Sequence, residues 1–206
     1  MMETRPEITW EYLIELERAC RDVTFNRGHR VIAEMEGHFA AAWTLTQNID
    51  GLHRRAGSQQ LIDIHSNLHT LICTRCAWRE EVEDYAHLSI PPRCPRCAAI
   101  IRPDVVLFGE LLPWEKLATL RREMARGFDL VFSVGTSSVF PYIAEPVTQA
   151  RAEGVLTVEI NPARSAVSDV VDLRIAAGAA VALDALWTRY LSLRGDAKVG
   201  RSPAIS

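Results

Sequence analysis

Four of the five cysteines stand as two matched pairs, Cys73 with Cys76 and, after seventeen intervening residues, Cys94 with Cys97. Each Cys-x2-Cys knuckle can turn two thiolates toward one ion, and this spacing falls in the zinc-ribbon range. Four thiolates complete a tetrahedron around Zn²⁺ and leave no open position, so the metal is read as structural, one per chain. Disulfides are the competing chemistry, but they belong to oxidising compartments. A redox pair does not account for two matched knuckles. Cys20 stands apart and reads as a small buried hydrophobe.

A second constellation is Gln47, Asn48 and Asp50, directly after the run 42–46, with His65 after the run 61–64. Beyond the carboxyl ends of strands in an open α/β sheet, such groups meet ligands. Two amides and a carboxylate can hydrogen-bond a sugar hydroxyl or a carboxamide. An imidazole beside them, titrating near neutrality, can serve as general base. The same residue types also make plain turns, because Asn and Asp bond their own backbone; spacing alone leaves both readings open. Ser137 and Ser138 lack a Gly-x-Ser-x-Gly elbow, which argues against a serine hydrolase. His29, His53 and His69 read as packing or hydrogen-bonding residues.

The elements that would position these groups alternate in type. Thr4-Arg5-Pro6-Glu7 has the form of a capping box opening a helix striped by Leu13, Leu16 and Cys20. A second helix begins near Gly28, with Val31, Ile32, Met35 and Phe39 on one face. Residues 42–46 and 61–64 read as short strands, with a helical turn from Leu52 ended by Gly57. Residues 105–108 and 130–134 read as buried strands, 155–160 and 171–175 as further strands. Helices carry Leu117, Leu120 and Met124, then Ile143, Val147 and Ala150, then Leu183, Leu186 and Tyr190. Strands alternating with helices predict an α/β fold: a Rossmann-like parallel sheet with helices on both faces. Residues 70–101 lack apolar periodicity and read as an inserted zinc-ribbon module that needs its metal to hold shape. The expected domains are 1–69 with 102–194, the module 70–101, and a flexible polar tail 195–206.

The 206 residues are 48% hydrophobic and 24% charged, with 23 basic and 26 acidic side chains for a net charge of −3. That is an ordinary globular composition. No Lys/Arg block points to nucleic acid, and no apolar run approaches the roughly 18 residues of a membrane span. The N-terminus has no signal-peptide apolar region, so a cytoplasmic location is expected. No motif specifies an oligomeric state.

Taken together, these motifs resemble the sirtuin (Sir2-like) family of NAD-dependent protein deacylases. The matching stretches are Thr46-Gln47-Asn48-Ile49-Asp50-x-Leu52-His53-x2-Ala56-Gly57, His65-x2-Leu68-His69-x3-Cys73-x2-Cys76, Cys94-x2-Cys97, Arg102-Pro103-x-Val105-Val106-x-Phe108-Gly109-Glu110, Val134-Gly135-Thr136-Ser137 and Glu159-Ile160-Asn161. They occur in the family's order over residues 28–192. The resemblance implies that Gln47, Asn48 and Asp50 line the pocket for the nicotinamide and its ribose, and that His65 is the base deprotonating a ribose hydroxyl. It implies that Gly135, Thr136 and Ser137 hold the adenosine ribose and phosphate side, Asn161 the other ribose, and Gly178 or Ala179 the adenine end. Val105, Val106, Phe108, Gly109 and Glu110 would form an edge on which an acyl-lysine peptide or protein lies as an added strand. In the reaction implied, the acyl oxygen attacks C1′ of the ribose, nicotinamide leaves, and the products are free lysine and O-acyl-ADP-ribose.

Three departures qualify the resemblance. Nothing before Thr46 matches the family's first βα unit, a Gly-Ala-Gly-rich phosphate loop followed by an Asp-Phe-Arg segment; such loops cradle pyrophosphate with backbone N–H groups. A misplaced start, a truncation and a diverged protein are equally open, and a chain of only these residues is expected to show little or no deacylase activity. Ser66 stands where the family has Gly; Ser66→Gly is expected to raise activity if that site needs φ > 0. Members that prefer acidic acyl groups carry Tyr-x2-Arg where this chain has Tyr12-x2-Glu15, so neutral acyl groups, acetyl first, are expected. Two alternatives remain open: ADP-ribosyl transfer or NAD cleavage at the same site, and a non-catalytic zinc-containing binding module.

Overall fold

The computed structural model describes residues 5–199. In chain order the elements are α1 (Pro6–Arg21), α2 (Arg27–Glu36), β1 (Thr44–Thr46), α3 (Leu52–Arg55), β2 (Leu61–Asp63), β3 (Ser66–Cys73), β4 (Arg79–Glu81), β5 (Ile101–Val105), α4 (Trp114–Arg126), β6 (Leu130–Val134), α5 (Pro141–Ala152), β7 (Leu156–Ile160), β8 (Leu173–Ile175) and α6 (Ala179–Val199). They form two compact units. The residues through Phe25 with Trp43–Leu120 make the first, and Asn26–Ala42 with the residues from Arg121 onward make the second. Parallel pairing joins β1 to β2 and orders β6-β7-β8, while β4-β3-β5 is antiparallel.

In the first unit, α1 turns Trp10 and Leu13 onto Leu68 and Leu71 of β3 and Ile101 and Val105 of β5; Cys73, Cys94 and Tyr85 complete that core. Trp10 is fully buried, and its indole N–H donates to the Ile101 carbonyl at 3.0 Å. Buried side chains of this size contribute on the order of 2–3 kcal/mol each. Leu16 and Cys20 pack partly buried against the same core, as their spacing predicts. Arg5 is the N-cap of α1 and makes no side-chain cap bond; Thr4 lies outside the described residues. The expected boundaries at 69/70 and 101/102 do not separate compact units. Strand β3 runs unbroken through the first, and its register with β5 spans Ser66–Val105 to Cys73–Ile101. The segment with the cysteines thus shares one core with α1.

In the second unit, Asn26 caps α2, accepting from the N–H groups of Gly28 (2.9 Å) and His29 (3.4 Å) and donating its own N–H to His29 Nδ1. Val31 of α2 packs with Val158 and Ile160 of β7 and with Leu183 and Trp187 of α6. Ile143, Val147 and Ala150 are the buried face of α5, as predicted. Two expectations are corrected here. β6 is not a fully buried strand, for Leu130 is exposed and Ser133 is its buried residue. The final helix continues to Val199, past the predicted end at 194, as the helix-favouring Ala197 and Lys198 allow; residues 200–206 of the expected tail lie outside the described residues. Among the described residues, no helix is long and apolar enough to cross a membrane.

Candidate active site and metal centre

The two knuckles close on each other. Cys73 Sγ lies 3.5 Å from Cys97 Sγ, and Cys76 Sγ lies 3.6 Å from the sulfurs of both Cys94 and Cys97. All four sulfurs are within 4.8 Å of one another. Zn–S bonds near 2.3 Å set tetrahedral sulfurs about 3.8 Å apart, so this set fits a structural zinc. Burial opposes the thiolate at Cys73, yet the N–H groups of Arg75 and Cys76 point at it and bring the thiol down to about 6. Cys73 is thus the member of the knuckle that favours a thiolate, while its sulfur neighbours push the Cys76 thiol up to about 12.

The polar cluster sits where the parallel pair β1-β2 ends. Leu45 pairs with Ile62 and Thr46 with Asp63, and the Ile64 N–H donates to the Thr46 carbonyl. That register sets the two strand ends, 47–50 and 64–66, side by side. Asp50 Oδ1 accepts from the Leu52 N–H at 2.9 Å, and Asn48 N–H donates to Thr46 Oγ1 at 3.1 Å. The turn reading is thus correct for the backbone of this stretch. It coexists with the site: the His65 ring, half-buried, hydrogen-bonds the backbone of Gln47. Burial pushes the imidazole below its ordinary 6.5; the Gln47 contact opposes that, and the charge of Lys116 adds to it. A ring donating one N–H to a carbonyl keeps its other nitrogen as proton acceptor. Asn48 and Asp50 also line a cavity of about 840 Å³ with Asp63, Ser66 and Lys116.

The second unit gathers another predicted set at the ends of β6, β7 and β8. Gly135, Thr136 and Ser137 follow β6, Asn161 follows β7, and Gly178 and Ala179 stand at the start of α6. Gly135 has φ +59°, and a Cβ built on it, or on Gly178, would meet nothing within 4 Å. The strand ends are therefore open enough for a ligand to approach the backbone. Asn161 donates through Nδ2 to the Thr136 carbonyl at 2.9 Å and accepts from the Ala163 N–H at 3.1 Å. Its amide braces the Gly135–Ser137 loop and retains one further donor and one acceptor position. Beneath it, the buried Glu159 accepts from Ser168 Oγ at 2.6 Å, Arg174 Nε at 3.0 Å and Ser165 Oγ.

The buried strand expected over 105–108 is corrected. Residues 105–108 are not a buried strand: β5 ends at Val105, and Phe108 is 98% exposed. Glu110 N–H bonds back to the Leu107 carbonyl, Gly109 takes φ +85°, and the Arg102 guanidinium grips the Glu110 carboxylate. These contacts bend residues 107–110 into a turn. Val106 N–H donates to the His65 carbonyl, so this segment and the His65 turn are joined. Three residues outside the predicted set matter to the site's geometry: Asp63, Arg102 and Lys116. Only Arg102 had a sequence signal, its place in Arg102-Pro103-x-Val105; nothing local marks Lys116, which lies fifty residues from Ser66.

A four-thiolate module, together with strand ends that present amides, a carboxylate and a neutral imidazole, defines an α/β protein of the NAD-site type. Residues 1–141 match the Sir2 family. The chain is 46% identical over 178 residues to NAD-dependent protein deacylase 2 of Pseudomonas aeruginosa, covering 85% of this chain and 70% of that protein. It superposes on a Sir2 homologue variant bound to 2′-O-acetyl ADP ribose with a TM-score of 0.85 at 30% identity, over 93% of this chain and 77% of that one. A Sir2–p53 peptide–NAD⁺ complex gives 0.81 at 28%, over 91% and 79%. The chain belongs to the Sir2 family.

Proposed function

We propose that this protein removes acyl groups, acetyl first, from lysines of proteins or peptides in an NAD-dependent reaction, with His65 as the base. The observation that carries this reading is the His65 imidazole, held by the Gln47 backbone at the strand end that also bears Asn48 and Asp50, and kept neutral by burial. NAD, when bound, supplies the ribose that accepts the acyl group, with nicotinamide as leaving group. The chain's residues do the rest. His65 takes a proton at its other ring nitrogen. Gln47, Asn48 and Asp50 orient the nicotinamide end through amide and carboxylate hydrogen bonds. Gly135, Thr136 and Ser137 hold the adenosine ribose and phosphate side and Asn161 the other ribose, with Gly178 or Ala179 at the adenine end. The segment Val105–Glu110 receives the peptide, and its exposed Phe108 offers apolar surface to it. Tyr12 and Glu15, both on the exposed side of α1, provide no cation for an acidic acyl chain, which supports neutral acyl groups.

Zinc held by Cys73, Cys76, Cys94 and Cys97 is structural and touches no reacting atom. A cytoplasmic location accompanies the reading, supported by cysteines that are all unpaired as disulfides. Ahead of β1 both described elements, α1 and α2, are helices. The test is incubation with an acetyl-lysine peptide and NAD, followed by mass spectrometry. Nicotinamide and O-acetyl-ADP-ribose in equal amounts are the expected products. ADP-ribose transferred to protein, or free ADP-ribose with the peptide untouched, would overturn the deacylase reading in favour of ADP-ribosyl transfer or NAD cleavage.

A further inference from the structure

Ser66 follows His65 with φ +59°, in the left-handed region that side chains enter at a cost. It is 3% exposed and pairs with Val105 across β3-β5. A non-glycine residue persists in such a conformation only where its surroundings over-determine it. The backbone pairing to Val105 is one constraint, and one ammonium supplies the side-chain constraint. Lys116 Nζ, from α4, donates to Ser66 Oγ at 2.8 Å and to the Asp63 carbonyl at 2.7 Å, and lies 2.7 Å from Asp63 Oδ1. Three acceptors match its three N–H donors. They stand on both sides of His65, two residues before it and one after. Arg54 of α3 adds a longer contact to Asp63 Oδ2 at 3.3 Å.

We infer that Lys116 is a positioning residue for His65: its ammonium clasps Asp63 to Ser66 across the turn and holds in place a serine where only glycine would sit unaided. This rests on the deacylase reading for its kinetic consequence, but not for its structural one. The charged groups at the turn are Asp63 on β2, Arg54 on α3 and Lys116 on α4. Asp104 on β5 and His69 on β3 line the same cavity, Asp104 being paired with Arg79. Without the ammonium, the Ser66 hydroxyl would stay buried without its donor, and backbone pairing alone would offset the unfavourable φ. The turn would relax toward another backbone conformation, and His65 would move off its hydrogen bond to Gln47. Glycine at 66 needs no clasp, since it has neither hydroxyl nor Cβ.

The test is a cycle of Lys116→Met, which keeps the apolar stem, with Ser66→Gly, read by kinetics and by the NMR titration of the His65 imidazole, its signal identified by loss in His65→Asn. Lys116→Met is expected to lower kcat by about 10- to 100-fold, the scale of a small misplacement, with KM for the peptide within about twofold. It should also leave the His65 titration below that of the double variant, because the Gln47 bond that raises the imidazole is lost in one and kept in the other. Adding Ser66→Gly should restore most of kcat and bring the titration above the wild-type value, because the turn is kept and a neighbouring positive charge is gone. The same His65 titration in Lys116→Met and in the double variant, or a double variant with kcat no higher than Lys116→Met alone, overturns the proposal. If the wild-type protein gives no turnover, the deacylase reading fails, and the titration still decides the clasp: a difference between Lys116→Met and the double variant supports it, and no difference overturns it.

Discussion

The four sulfurs of the metal centre reach one another through two local loops, each Cys-x2-Cys knuckle fixing a pair within four residues. The turn that carries His65 takes its shape from residues remote in the chain: the backbone of Gln47, the N–H of Val106 and the ammonium of Lys116. Both lie in the same compact unit. They differ in where the bonds originate. A locally specified centre depends on one ion, and losing that ion loses all of it. A remotely specified turn is held by several weaker contacts, and removing one of them shifts it by degrees.

The largest expected effect tests the first half of that contrast. Cys73 and Cys94 belong to the same buried core as Trp10, Leu71 and Ile101, so loss of zinc reaches α1. Structural zinc binding is worth on the order of 10–16 kcal/mol in apparent terms at pH 7. Chelation, or Cys94→Ser, should abolish cooperative melting of the first unit. Circular dichroism together with zinc analysis measures it. A variant that binds no zinc yet melts at the wild-type temperature would show that the core, not the ion, organises this unit.

Next in size is His65→Asn, expected to lower turnover by about 10²–10⁴-fold, the usual worth of general acid–base catalysis. NAD affinity, measured by calorimetry, should stay within about threefold, since Asn48, Asp50 and the β6–β8 strand ends are untouched. Comparable losses in turnover and affinity would show that the ring holds the turn rather than the proton.

This contrast also accounts for what the sequence discloses. The knuckles are legible because two residues of spacing carry the whole geometry. The β6, β7 and β8 strand ends are legible because each run ends in its own polar or glycine turn: Gly135 after Val134, Asn161 after Ile160. The helix face Ile143, Val147 and Ala150 is legible from period alone. Strands β3 and β5 are not, because β3 breaks register with β5 between Ser66 and Leu71 and β5 contains Pro103, which hides both from a pattern search. Residues 105–108 mislead for a related reason. Their apolar run has the composition of a strand, but Arg102 and Glu110, on either side, pull it into a turn. Lys116 is invisible from sequence, because one lysine on a polar helix face declares no partner.

A stability test in the second unit separates local bracing from the turn chemistry. Glu159 is fully buried, and its carboxyl is held below the ordinary range: burial pushes it up, but Ser165, Ser168 and Arg174 together outweigh that. Glu159→Gln leaves Arg174 without its charge partner and should cost about 3 kcal/mol, the scale of breaking a buried pair, read by urea unfolding. For the wild type the sign follows from a depressed carboxylate. This contribution is complete above the unfolded value near 4.5 and is lost as pH falls below it. A variant as stable as the wild type would mean that Ser165 and Ser168 alone hold the loop after β7.

The smallest effect is a shift along the pH axis, and it addresses the His65 turn without altering a residue. Burial lowers this imidazole, the Gln47 contact raises it, and Lys116 lowers it again, for a net value below 6.5. The folded protein therefore binds this proton less readily than the unfolded chain does. The base form prevails at pH 7, and the acid limb of kcat/KM should have an apparent pKa below 6.5. Stability follows the same sign: it is intact above 6.5 and declines as pH falls through 6.5, until the folded ring is also protonated. A histidine gaining an acidic partner would do the reverse, and Asp63 is the nearby candidate for that role. Its carboxylate, however, is already engaged by Lys116 and Arg54. An acid limb above 6.5, measured at fixed ionic strength, would mean that Asp63 has turned to the imidazole, and that the ammonium does not hold the turn in the form described.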